Sequence, residues 1–94
     1  MALSVIMVLC LSMADGETSC KVTGSSYFGA TNDKVMCTEF ANAAINDRLL
    51  ESGKEGWAHG MCIDRSSYVT VTKRAVDYLE GEGFKVKFES YKVK

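Results

Sequence analysis

The side chains in this chain that could do chemistry are four cysteines, Cys10, Cys20, Cys37 and Cys62, and the one histidine, His59. Zinc takes about four nitrogen or sulfur ligands in a tetrahedron, and Cys20, Cys37, His59 and Cys62 are the set that could supply them. Against a metal, the chain has no Cys-x-x-Cys pair, and Cys37 falls on the apolar stripe of a helix. A second chemistry is a thiolate activated by imidazole, with Cys62 or Cys37 as nucleophile and His59 as base. His59 and Cys62 are three apart on one short strand, which points them to opposite faces unless Gly60 breaks the pleat. The cysteines therefore read first as small buried hydrophobes, with disulfides as the next alternative. No metal and no cofactor is expected.

Other catalytic fingerprints do not occur. The chain has no G-x-S-x-G, no Walker loop and no G-x-G-x-x-G. Gly81-Glu82-Gly83 follows a helix instead of opening one, so it ends the helix and does not cradle phosphate. These observations point away from an enzyme and toward a binding protein. The candidate binding residues are Trp57, a side chain that is either a core anchor or an interface hot spot, and Glu39, Asn42, Asn46 and Asp47 on the polar side of a helix.

Those residues need a scaffold, and 94 residues with 47% hydrophobic and 24% charged content make a single domain, 1–94. Net charge is −1, which gives no whole-chain attraction to nucleic acid or membrane. The last residues are locally basic, with Lys85, Lys87, Lys92 and Lys94 against Glu89. Such lysines guard an edge strand from pairing; a phosphate-contacting ribbon is the other reading.

Residues 2–13 form the most apolar run and read as a buried strand. A secretory leader is the alternative, with Ser12-Met13-Ala14 as its cleavage site. No basic residue precedes the run, and cleavage would remove Cys10 and leave three cysteines. Asp15-Gly16 then signals a hairpin, returning through residues 17–24. Residues 25–32 read as a loop.

Thr31 or Asn32 can cap a helix over 33–52. Its apolar stripe is Cys37, Phe40, Ala41, Ala44, Ile45 and Leu49, with Glu39, Asn42 and Asn46 on the other side. Residues 57–64 read as a strand in which Gly60 marks a bulge or a close backbone approach. Tyr68, Val71, Thr72, Ala75, Val76 and Leu79 make a second helical stripe, capped by Ser66 or Ser67. Phe84, Val86 and Phe88 alternate with Lys85, Lys87 and Glu89 as a strand whose phase slips at Ser90. The fold class is α+β: an N-terminal β-hairpin, a helix, then a β-α-β unit, giving one mixed sheet with two helices packed on one face.

The run Arg74-Ala75-Val76-Asp77-Tyr78-Leu79-Glu80-Gly81-Glu82-Gly83-Phe84-Lys85-Val86 resembles small α/β accessory proteins of tailed bacteriophages, over roughly residues 33–90. The resemblance implies a protein that binds, and in some cases inhibits, a host or defence protein. It transfers no catalytic residue. The expected partner is a protein or a second copy of the chain, with no nucleic acid and no membrane, in the host cytoplasm. Two alternatives stay open: a small secreted disulfide-stabilised protein, and a small enzyme using a Cys/His pair.

Overall fold

The apolar run near the N-terminus is the middle of the molecule. A computed structural model describes residues 3–27 and 33–91. Strand β1 (Leu3–Ser12) and strand β2 (Thr18–Tyr27) form the expected hairpin, antiparallel and in unbroken register from Leu3↔Tyr27 to Ser12↔Thr18. Gly16 takes the positive φ of 83° in the connecting loop, and Asp15 Oδ1 accepts the Glu17 N–H at 3.0 Å. Helix α1 (Lys34–Ser52), strand β3 (Gly56–Asp64), a 3-10 turn (Arg65–Ser67), helix α2 (Tyr68–Gly81) and strand β4 (Lys85–Tyr91) follow.

The sheet order is β3-β1-β2-β4, with β1 antiparallel to both β2 and β3, and β4 parallel to β2. The α+β expectation of one mixed sheet carrying two helices holds. Strands β3 and β4 run in the same direction, as a β-α-β unit requires, but they lie at opposite edges with β1 and β2 between them. The register of β4 on β2 runs unbroken from Lys85 to Tyr91, so Ser90 carries no bulge.

The placement of the helices corrects the sequence reading: each covers its own face. On one face Ile6, Val8, Cys10, Cys20 and Val22 pack with Leu79, flanked by Tyr68, Val71 and Val76 of α2. On the other, Leu3, Val5 and Met7 pack with Cys37, Ala41 and Cys62. A strand alternates its side chains, so a β1 apolar at nearly every position must be covered on both sides.

Helix caps also differ in detail. Asp33 caps α1, its Oδ1 accepting the Val35 and Met36 N–H groups at 2.9 and 3.3 Å. Thr31, Asn32 and most of the loop over 25–32 lie outside the described residues, as do Lys92 and Lys94. Before α2, Ser67 holds the cap position without a side-chain bond, because the 3-10 turn leads the chain in. At its end, Gly83 takes a φ of 84°.

Candidate binding surface

All four cysteines are joined in disulfides, which overturns their reading as free core side chains. Cys10 and Cys20 are direct cross-strand partners in the hairpin, with Cα atoms 4.1 Å apart. Cys37 joins Cys62, with Cα atoms 5.8 Å apart, and so ties α1 to β3. The first pair had a signal in the sequence: a hairpin turning at Asp15 sets positions 10 and 20 opposite one another. The zinc set is therefore not assembled, since Cys20 and the Cys37–Cys62 pair lie on opposite faces of the sheet. His59 pairs with Val8, on the face away from Cys62, as the spacing of three required. Neither Cys37 nor Cys62 offers a thiol to it.

The α1 residues singled out as a polar surface separate into two groups. Glu39 and Asp47 are exposed. Asn42 and Asn46 turn inward, onto the outer backbone edge of β3. Asn42 Oδ1 accepts the Gly60 N–H at 3.2 Å, and Thr38 Oγ1 accepts the Cys62 N–H at 3.0 Å. Asn46 Nδ2 donates to the Ala58 carbonyl at 3.5 Å and to the Asn42 carbonyl at 2.8 Å. Thr38, Asn42 and Asn46 recur every four residues and so share one line along the helix.

This seal explains why the apolar stripe is rotated from the expected one. An edge strand presents alternate N–H and C=O groups, and burying them unpaired costs more than burying asparagine with partners. Cys37, Ala41 and Ile45 stay buried, while Phe40 is 61% exposed. Gly60 allows the approach, because a Cβ there would stand 2.5 Å from the Ala41 backbone.

The β4 edge has no such cover: among the described residues no strand or helix pairs with its outer side. On the α2 face of β4, Phe88 is 43% exposed. It lies in a groove of about 330 Å3 with Val69, Thr72, Lys73, Val76 and Asp77. Phe88 faces inward as the alternation requires, but it is only partly packed, since α2 does not close over it. On the other face, Lys21 and Lys87 reach Glu89 at 3.1 and 3.5 Å, and Lys85 pairs with Glu17. The Glu17 carboxylate, by hydrogen bond and then by charge, raises the Lys85 ammonium above its ordinary value. Trp57 is 44% exposed, on the same face as His59 at the far edge of the sheet.

Compared with known proteins, the chain matches no family model, no curated protein and no solved structure. Among the described residues no helix is long and apolar enough to cross a membrane.

Proposed function

We propose that this chain is a non-enzymatic protein-binding module of an oxidising compartment that grips its partner along β4. The observation that carries the reading is the contrast between the two sheet edges. The β3 edge is closed by Thr38, Asn42 and Asn46, whereas among the described residues no strand pairs with the outer edge of β4, which lies beside a half-exposed phenylalanine. Unpaired backbone groups give affinity for an added strand, and a side-chain groove next to them gives selectivity.

Two disulfides in a chain of 94 residues fit an oxidising environment better than the cytoplasm expected from the sequence. The likeness of residues 74–86 to phage accessory proteins supports a protein target over a nucleic acid. So does the engagement of Lys21, Lys85 and Lys87 with carboxylates of their own chain. A protein partner met outside the reducing cytoplasm satisfies both lines.

A titration of the oxidised, 15N-labelled chain with a library of extended peptides bearing alternate apolar side chains tests this. The expected result is amide shifts over Lys85–Tyr91 and at Val69 and Val76, with binding at least tenfold weaker in a folded Phe88→Glu variant. Shifts centred on Phe40 of α1, or a library without a binder for a chain that stays monomeric, would overturn the β4 reading.

A further inference from the structure

We infer that the partner at the β4 edge is a second copy of this chain, its β4 paired antiparallel with the first about a two-fold axis through Phe88. This rests on the reading of β4 as the gripping edge and names what fills it.

Register decides where the axis lies. An axis perpendicular to the sheet keeps the two α2 helices on one face and the two α1 helices on the other. Facing residues must then share a face, so the axis passes through a residue of β4. An axis near Val86 sets Lys85 against Lys87 of the second copy. An axis at Lys87 sets Lys85 against Glu89 twice but places Lys87 against itself at the centre, and an axis at Glu89 places the glutamate against itself. An axis at Ser90 joins no opposite charges. An axis through Phe88 sets Lys87 against Glu89 of the second copy, twice, and opposes no like charges. Lysines on an edge strand deter pairing in general. Here, of the axes from Val86 to Ser90, the one through Phe88 alone joins opposite charges without opposing like ones, and cross-strand opposite charges stabilise while like charges do the reverse.

The two faces fit the same axis. Glu89 lies between Lys21 and Lys87 of its own chain, so the second copy's Lys87 joins an existing network of charges. On the α2 side, Phe88 meets its own copy. The groove beside it, whose wall includes Val69 at 74% exposure, becomes continuous across the axis. Lys73 and Asp77 bring one positive and one negative charge from each copy to that side.

Sedimentation of the full oxidised chain, alone and as two charge variants, tests the pairing. The wild type is expected to form a concentration-dependent dimer. Lys87→Glu opposes two carboxylates in each cross-strand pair, and Glu89→Lys opposes two ammonium groups. Each variant alone is expected to dimerise at least tenfold more weakly, with an unchanged circular dichroism spectrum. An equimolar mixture restores opposite charges at both pairs, so a heterodimer of near wild-type affinity is expected. A variant that simply misfolds would not be rescued by mixing. A wild-type chain that stays monomeric at millimolar concentration overturns the inference, as does a dimer indifferent to both substitutions. In either case the peptide titration still reads the edge: peptide binding at β4 with no self-association leaves the module reading standing, and the loss of both removes it.

Discussion

The side-chain oxygen of Asn42 accepts the backbone N–H of Gly60 at 3.2 Å, and this bond links helix packing to sheet termination. Four residues earlier, Thr38 does the same for Cys62 at 3.0 Å. Removing either acceptor leaves a part-buried donor unpaired, at a cost of about 1–3 kcal/mol. Asn42→Ala and Thr38→Val are each expected to lower stability by that amount in urea unfolding. Hydrogen exchange should quicken at Gly60 for the first and at Cys62 for the second. Unaltered exchange at both amides would mean that the helix does not close the edge.

Gly60 and Gly24 make a paired test of close approach. A Cβ on Gly60 would meet the Ala41 carbonyl carbon and oxygen, both at 2.5 Å, and backbone cannot swing aside. Helix α1 would have to lift, breaking the Asn42 and Thr38 bonds with it. A Cβ on Gly24 would meet the hydroxyl end of Tyr68, a ring that can turn away at the loss of its contact with Ser90. Gly60→Ala is therefore expected to cost about 1–3 kcal/mol, as overpacking does. Gly24→Ala should cost less, and thermal melts of the two variants rank them. The reverse order would place the tight contact under α2.

These relationships divide what was legible in the sequence from what was not. The elements were legible, because alternation in β4 and the three-four spacing of both helices are local patterns. Gly60 announced a close approach for the same reason. The face that α1 turns inward was not legible. A hydrophobic stripe including Phe40 competes with the Thr38, Asn42 and Asn46 stripe, and the winner is set by an edge strand distant in sequence. The neighbour of β4 was not legible either: sheet order depends on which strands meet, and β4 could be written beside β3 or β2 with equal local sense. Phe88 illustrates the consequence. Its alternation with Lys87 and Glu89 gave the correct face, but at an edge that face is only half covered.

The Lys85–Glu17 pair gives a pH dependence with a definite sign. Its hydrogen bond and charge raise the Lys85 ammonium above 10.5 in the folded chain. A raised lysine value means the folded state holds its proton more tightly than the unfolded state does. The contribution is fully present below the ordinary lysine range and is lost as pH rises through the raised value. The pair is exposed, so salt screens it. Glu17→Gln should return the Lys85 titration, followed by NMR of its ε-carbon, toward the ordinary value. The melting midpoint at pH 7 should fall only slightly, because the pair is exposed and screened, and a large drop there would assign Glu17 a structural role beyond the ion pair.

The two disulfides should contribute unequally and in different places. Cys10–Cys20 spans a separation of 10 residues within a hairpin already held by its register, and Cys37–Cys62 spans 25. Restricting the unfolded chain favours the longer loop: about 3 kcal/mol for the first and about 3.5 kcal/mol for the second. Against a domain stability of about 5–15 kcal/mol, losing both removes a large share. The mass of the native protein should rise by four hydrogens on reduction, and the melting midpoint should fall. For a domain this size, loss of one disulfide is worth roughly 12–24 °C. The double variants separate the roles. Cys37→Ala with Cys62→Ala should release α1 first, with exchange quickening in Lys34–Ser52 while the α2 face stays protected. Cys10→Ala with Cys20→Ala removes buried sulfur beneath α2, so exchange should quicken in the hairpin and α2 together. A melt indifferent to reductant, with no change in mass, would show the four thiols free and withdraw the oxidising-compartment reading with them.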